Sequence, residues 1–296
     1  MSRDPHELRL ERRRVRAAFD RASAGYEAAA VLQAQVADEL LSRLSPFGFS
    51  PRVVLDLGAG TGRAAAQLKR RYRRALVVAL DLSAPMLRQA RRHRSLFRRF
   101  ERVCAAAEQL PLASASVDVV VSSLMLQWCD PIEPALAEVR RILKPGGFFA
   151  FSTLGPDTLM ELRAAWAQAD SSSHVHRFLD PHEIGDALVS AGLLEPVLDV
   201  DRLRMTYADG LALMRDLKAI GARNATAGRP RALLGRAHLA RVLSAYEGFR
   251  REGRLPATYE VVYGAAWARG DGRGFAGASA EVLISPSDIR HKRSDP

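Results

Sequence analysis

A glycine-rich loop with the sequence Asp-Leu-Gly-Ala-Gly-Thr-Gly occupies positions 56–62. A short apolar run precedes it and a helical pattern follows it, so we expect the loop to join a buried parallel strand to a helix. Glycines in such a loop let the backbone approach a bound ligand closely. Several ligand classes use loops of this kind, and the spacing of the residues must distinguish among them.

The spacing excludes two common phosphate-binding loops. A dinucleotide fingerprint needs a third glycine where Arg63 stands, and a P-loop needs a Gly-Lys-Ser/Thr ending that is missing here. Asp56 ends the predicted strand, where its carboxylate can accept hydrogen bonds from a cationic amino group, directly or through water. S-adenosylmethionine (SAM) carries such a group together with a sulfonium, so the loop favours SAM.

A second carboxylate, Asp81, ends the next predicted strand. An acid in this position can accept both hydroxyls of a ribose, and NAD enzymes place one there too. Asp81 therefore supports a nucleoside ligand, whereas the loop selects the kind of nucleoside. Ser83 is a predicted helix N-cap, with Pro85 in the first turn.

The elements that must position these residues alternate between strand and helix. We predict strands at 53–55, 75–80, 103–107, 117–122 and 148–152, with helices after the loop and at 85–97 and 133–143. Helices are also predicted over 8–45, broken at Gly25, and at 159–169, 182–191, 211–220 and 237–251, with strands at 196–207 and 258–266. The order indicates an α/β fold with a doubly wound, Rossmann-like sheet of seven strands.

Composition restricts the function classes. The 296 residues are 48% hydrophobic and 26% charged, as in a globular protein with a sizeable core. No apolar run approaches the ~20 residues of a membrane span, and no signal peptide is recognisable, so we expect a cytoplasmic protein. Cys104 and Cys129 form no CxxC pair, and no zinc site or other metal site is predicted. The net charge of +11 suggests an acidic partner, although an arginine-rich, GC-rich coding sequence explains it equally well.

These motifs resemble those of the class I SAM-dependent methyltransferases. The matching segments are the first motif at 53–62, the ribose-binding strand at 78–83, the segment 108–112 and the turn at 143–147. One residue departs from the family pattern, because Ala106 stands where an aspartate often contacts the adenine, and we expect packing by Leu82, Ala107 and Leu110 instead. The resemblance implies cofactor contacts from Asp56, Gly58, Ala59, Gly60, Gly62, Asp81, Leu82, Met86, Ala107, Glu108 and Ser123.

Further segments resemble the malonyl-acyl carrier protein O-methyltransferase family, at 19–26, 124–129, 177–179, 217–222 and 256–264. The resemblance implies a carboxyl O-methyltransferase that makes the malonyl methyl ester from which biotin synthesis starts. Segments 157–159 and 256–259 also resemble an arginine-hydroxylating mitochondrial assembly factor, and fold alone does not settle the reaction. A methyltransferase for another small acid stays open as well. A nucleic-acid substrate is disfavoured because few aromatic residues accompany the basic ones.

The implied domain organisation has three parts. An N-terminal helical lid covers 1–48, and the methyltransferase domain covers 49–268, with helical, substrate-covering insertions at about 156–192 and 208–252. The segment 269–296 is rich in glycine, serine and charge, and we expect a disordered tail there.

The implied substrate site needs no general base, because a malonyl carboxylate is already ionised at neutral pH. It does need a cation, and Arg177 is the candidate, aided by Tyr26 of the lid. Gln127 and Trp128 follow the fourth strand, at the edge where ligands bind such sheets. We interpret His174 and His176 as polar loop residues, since two histidines without a third ligand are weak evidence for a metal.

Two arginine clusters are candidates for docking the acidic carrier protein. They comprise Arg12, Arg13, Arg14 and Arg16 near the lid, and Arg91, Arg92, Arg94, Arg98, Arg99 and Arg102 in and after the second helix of the sheet domain.

Overall fold

The computed structural model describes residues 10–93, 99–170, 174–222, 225 and 235–270. Seven strands form one sheet in the order β3-β2-β1-β4-β5-β7-β6. Strands β1 to β5 are parallel, and β7 runs antiparallel to both β5 and β6. The strands are β1 Val53–Leu57, β2 Leu76–Asp81, β3 Glu101–Cys104, β4 Val117–Ser123, β5 Leu143–Leu154, β6 Leu193–Tyr207 and β7 Leu255–Ala268.

Ten α-helices are described, and they surround this sheet. The first three precede it, the next three lie between its parallel strands, and the last four follow β5. Their bounds are α1 Arg12–Ala22, α2 Tyr26–Ala29, α3 Val31–Ser42, α4 Arg63–Arg71, α5 Ala84–Gln89, α6 Glu133–Ile142, α7 Met160–Ala169, α8 Pro181–Ser190, α9 Gly210–Ala219 and α10 Arg236–Glu247.

The central strands are buried on both faces. In β1, Val54 packs into one hydrophobic cluster and Leu55 into a second, and in β4 Val119 and Val120 divide in the same way. Successive side chains of a strand point to opposite faces, so the two clusters are the layers on either side of the sheet. The near-continuous Val and Leu runs of these strands are what burial on both faces requires.

The predicted α/β, doubly wound sheet of seven strands is confirmed. Ser83 caps α5 as expected, its hydroxyl accepting a hydrogen bond from the Met86 N–H at 3.3 Å. Several boundaries differ from prediction; for example, β5 begins at Leu143 rather than at residue 148, and α10 ends at Glu247 rather than at residue 251. Strand β3 ends at Cys104 rather than at residue 107, because the chain then turns to line a cavity. Helix α5 ends at Gln89 and continues as a 3-10 turn to His93.

Three predictions concern residues outside the described part of the chain. They are the disordered tail beyond residue 270, the end of the helix expected at 85–97, and the positions of Arg94 and Arg98. Among the described residues, no helix has the length and apolar character required to cross a membrane.

Candidate active site

Two adjoining cavities open at the carboxyl edge of the parallel strands, which is where ligands bind in open α/β sheets. We call the first the cofactor cavity. It lies over β1, β2 and β4, and helix α1 closes it from above. Its lining includes Arg12, Phe19, Tyr26, Gly58, Gly60, Asp81, Leu82, Met86, Ala105, Ala106, Ala107, Glu108, Ser123, Leu124 and Trp128. The predicted cofactor residues are therefore brought together here, apart from Asp56, Ala59 and Gly62.

Asp56 and Ala59 line an extension of this cavity, beside Gly58, Gly60 and Tyr26. The Asp56 side chain is buried, and its Oδ2 has no hydrogen-bond partner among the described residues. Burial raises the pKa of Asp56 to about 7, the Ala65 N–H at the start of α4 opposes that shift, and the charge of Asp81 adds to it. An orphaned, buried carboxylate oxygen beside a cavity fits a cationic amino group, which would satisfy it.

Asp81 holds the glycine loop in shape. Its carboxylate accepts hydrogen bonds from the Gly60 N–H at 2.8 Å and from the Ser83 N–H at 2.7 Å. The Ser83 hydroxyl in turn donates to Asp20 of α1 at 2.6 Å, which ties α1 to the end of the cavity where we expect the ribose. Burial raises the pKa of Asp81, and the two N–H donors oppose the shift. A carboxylate oxygen accepts more than one hydrogen bond, so ribose hydroxyls can add to these contacts.

Gly58, Gly60 and Gly62 of the loop are each required to be glycine for a different structural reason. All have a positive φ, which disfavours side chains. A Cβ on Gly58 would lie 2.5 Å from the Cβ of Met125, and one on Gly62 would lie 2.7 Å from the Cβ of Ala90. A Cβ on Gly60 would meet no atom within 4 Å, because that position faces the cavity. Gly58 and Gly62 thus serve packing, whereas Gly60 leaves room for a ligand.

The end of the cofactor cavity where we expect the adenine is lined mainly by small side chains. Ala105, Ala106 and Ala107 line the cavity, and so does Met86, which is buried. Glu108 lies 3.5 Å from Arg12 of α1. Leu110, expected to pack against adenine, does not line the cavity; it is buried in the core layer of Leu55 and Leu80 instead.

The second cavity, which we call the acceptor cavity, shares a wall with the first. Four side chains line both: Phe19, Tyr26, Leu124 and Trp128. Most of the remaining lining comes from α3, β5, α7, α9, β7 and the segment 174–178, and it is mostly apolar. Its polar or ionisable members outside the shared wall are Gln33, Gln127, Thr158, His174, His176, Lys218 and Tyr259.

The predicted residues Tyr26, Gln127 and Trp128 all line the acceptor cavity, and Tyr26 and Trp128 belong to the shared wall. Trp128 packs edge-on against Phe19 of α1, with ring centroids 5.3 Å apart. Gln127 is engaged at both ends, since its Nε2 donates to the Leu124 carbonyl at 2.8 Å and its Oε1 accepts from the Thr153 hydroxyl at 3.3 Å. Burial raises the pKa of Tyr26, with the charge of Asp81 adding to the shift. Its phenol therefore stays protonated and able to donate.

Arg177 does not lie at this wall. Its side chain is 66% exposed and forms an ion pair with Glu183 at the start of α8. The same glutamate completes a capping box with Asp180, so Arg177 is drawn toward the helix N-terminus. It lines a separate cavity behind Gln127 rather than the acceptor cavity. The structure therefore does not bring the predicted carboxylate anchor to the site.

Two residues that sequence reasoning missed do lie there. Among the described residues that line the acceptor cavity, Lys218 of α9 is the only lysine or arginine. His176 lies in a loop, as interpreted, but it is buried between Trp128 and Phe178. Its Nε2 has no partner in the described part of the chain, and burial lowers its pKa to about 4, which keeps the ring neutral at pH 7.

Comparison with known proteins agrees with this architecture. A family model described as a methyltransferase domain matches residues 55–151. A malonyl-[acyl-carrier protein] O-methyltransferase from Methylovorus is 52% identical over 264 residues, covering 87% of this chain and 89% of the relative. One from Halorhodospira halophila is 48% identical, covering 96% and 97%.

Among solved structures, the YcgJ protein from Bacillus subtilis superposes with a TM-score of 0.56 at 16% identity, covering 77% of this chain and 97% of that one. At that identity the likeness concerns the fold alone. The relatives, by contrast, share about half of their residues with this chain over nearly their whole length. The chain belongs to the malonyl-[acyl-carrier protein] O-methyltransferase family.

Proposed function

We propose that this protein transfers the methyl group of SAM to the free carboxylate of a malonyl thioester on acyl carrier protein. The product is the malonyl methyl ester that starts pimelate assembly in biotin synthesis. The observation that carries the proposal is the wall that the two cavities share, formed by Phe19, Tyr26, Leu124 and Trp128. A methyl donor in one cavity and an acceptor in the other would meet at this wall. The names of the close relatives supply the acceptor.

The residues present fit SAM in the cofactor cavity. Asp56 offers an unsatisfied carboxylate oxygen to the amino group, and Asp81 offers acceptors to the ribose. When bound, SAM supplies a methyl carbon attached to a cationic sulfur. Attack of a malonyl carboxylate oxygen on that carbon would break the carbon–sulfur bond and leave its electron pair on sulfur. No proton moves, so the protein needs no general base.

The protein's contribution is then position and exclusion of water. We assign Lys218 to attract the malonyl carboxylate, in place of Arg177. The Tyr26 phenol and the neutral His176 ring can each hydrogen-bond the acceptor, and the aromatic wall keeps the reacting atoms dry. A cation with flanking neutral donors selects a carboxylate and does not deactivate it by protonation.

The proposal is tested with labelled SAM and a panel of acceptors. We expect methyl transfer to malonyl carrier protein and none to acetyl carrier protein, which differs only in lacking the free carboxylate. Malonyl-CoA in the same panel measures how much the carrier protein itself contributes. Equal labelling of the malonyl and acetyl carriers, or no labelling of either, would contradict the proposal.

The arginines of the 3-10 turn after α5 are our candidates for docking the acidic carrier protein. Arg91 and Arg92 are exposed, and the adjacent His93 lies 2.5 Å from Glu27 of α2, so this surface adjoins the lid. Exposed charges mainly raise the rate at which the two proteins associate, and salt screens this effect.

Replacing Arg91 and Arg92 together by glutamate should raise KM for malonyl carrier protein about tenfold at low salt. The effect should fade at high salt, and KM for malonyl-CoA should not change. Arg73 and Arg74, equally exposed in the turn before β2 at the opposite edge of the sheet, provide the matched control. A carrier-protein KM that is insensitive to both salt and the Arg91/Arg92 replacement would remove this surface from the proposal.

A further inference from the structure

Three side chains that the proposed reaction does not use converge beside the acceptor cavity. Asp170 follows the last residue of α7, His174 lies just beyond it in the chain, and His238 lies in the first turn of α10. One ligand atom from each of them lies within 4.8 Å of the other two. His238 is far from the others in sequence, so spacing predicts no metal site, and only the packing of α10 on α7 assembles the three.

The geometry of the cluster is unusual for a plain hydrogen-bonded trio. His174 Nε2 lies 2.9 Å and 3.0 Å from the two carboxylate oxygens of Asp170. His238 Nε2 lies 2.8 Å from Asp170 Oδ2, yet it satisfies no hydrogen bond with any residue in the described part of the chain. Its ring nitrogen therefore comes close to the carboxylate without being aimed at it. Ligands of one metal ion behave in this way, because each is aimed at a common centre between them.

We propose that Asp170, His174 and His238 form a Zn²⁺ site, with two imidazoles, one carboxylate and a fourth position for water. This donor set is one that zinc takes in open, four-coordinate sites. Magnesium and calcium prefer oxygen ligands throughout. The side chains are 12–24% exposed, so an ion can reach them from solvent. His174 also lies flat against Trp166, with ring centroids 3.6 Å apart, which fixes the plane of its imidazole.

The role that follows is structural. Trp166 and His174 both line the acceptor cavity, whereas Asp170 and His238 do not. An ion on the three ligands would clamp α7 to α10 and hold this part of the cavity wall in place. The site stands apart from the cofactor cavity, and the inference does not depend on the identity of the acceptor.

The side chain of Arg241 contacts His238 in a way that opposes metal binding, which provides a further test. Arg241 Nη2 lies 3.3 Å from His238 Nδ1. Metal binding through Nε2 leaves the proton of a neutral ring on Nδ1, so two donors would then face each other. The exposed Arg241 side chain must swing into solvent, and Arg241→Ala should bind zinc more tightly than the unaltered protein does.

The experiment uses the full chain without a histidine tag, stripped with a chelator and titrated with Zn²⁺, and with Co²⁺ as a coloured substitute. We expect one equivalent to bind, with cobalt absorption bands of a low-coordinate site. At zinc about 100-fold above Kd, Tm should rise by about 4 °C for a chain of this length. His182→Ala is the matched control, because that histidine is 98% exposed and outside the cluster.

His238→Ala and Asp170→Asn should each abolish both signals. Asp170→Asn keeps the size and the polarity of the side chain, and circular dichroism verifies that each variant is folded. The proposal is overturned if the unaltered chain shows neither the cobalt bands nor the rise in Tm. It is equally overturned if folded His238→Ala and Asp170→Asn retain both, since the metal would then be bound elsewhere.

Discussion

Lys218→Ala should lower kcat/KM for malonyl carrier protein by about 30-fold, the lower end of what loss of a charged binding partner causes. The Lys218 side chain is exposed at the rim of the acceptor cavity in the free protein. We expect the bound acceptor to cover it only in part, which places the loss at the lower end of the range for a buried charge pair. SAM affinity should stay unchanged, since Lys218 does not line the cofactor cavity. Steady-state kinetics together with calorimetric titration of SAM measure the two quantities separately.

Arg177→Ala is the matched control for this prediction. This substitution removes the cation that sequence alone predicts for the same role. The ion pair between Arg177 and Glu183, however, holds the Arg177 side chain in a different cavity. The kcat/KM of Arg177→Ala should stay within a few-fold of the unaltered enzyme, and Lys218→Arg should keep most activity. Full activity in Lys218→Ala together with a large loss in Arg177→Ala would show that Arg177, and not Lys218, binds the malonyl carboxylate.

Asp56→Asn should stabilise the free enzyme and weaken SAM binding at the same time. Burial raises the pKa of this carboxyl from 3.8 to about 7, so the folded state binds a proton more readily than the unfolded state between those values. The free energy of unfolding contributed by Asp56 therefore falls as pH rises through this window, and the penalty is complete above pH 7. The isosteric amide removes the penalty.

At pH 8, Tm of ligand-free Asp56→Asn should consequently exceed that of the unaltered protein by several degrees, and the difference should shrink toward pH 5. SAM affinity at pH 8 should fall by about 10- to 100-fold, the range expected for a lost hydrogen bond to a charged group. Asp186→Asn, at an exposed position of α8, should change neither quantity. A lower Tm in Asp56→Asn would show that the ionised carboxylate stabilises the free protein. It would contradict the conclusion that burial of this carboxylate destabilises the folded state.

Much of the cofactor cavity could be predicted because its determinants are local. Asp56 and Asp81 end strands that the apolar runs identify, and the carboxyl ends of parallel strands meet at one edge of a sheet. The glycine spacing then excluded other ligands. What sequence could not supply was the second role of Gly58 and Gly62, which lies in contacts with Met125 and Ala90.

The acceptor cavity was harder to predict, because it is assembled from segments far apart in the chain. Arg177 was chosen for its chemistry, but the pattern Asp180-Pro-His-Glu183 already indicated a capping box that supplies a nearby carboxylate. Lys218 follows Met214 and Leu217 at helical spacing, and all three line the cavity on one face of α9. The helical spacing of these residues could be recognised in the sequence, whereas the contact between His238 and Asp170 could not.

We expect the methyl group to end on the free carboxylate of a malonyl thioester. Intact-mass spectrometry of malonyl carrier protein, after incubation with this enzyme and SAM, tests it most directly. We expect the mass to increase by one methylene unit, and an esterase selective for methyl esters to reverse the increase and leave malonyl carrier protein. A carrier protein of unchanged mass, or a methyl group that resists ester hydrolysis or resides on the polypeptide, would contradict the account.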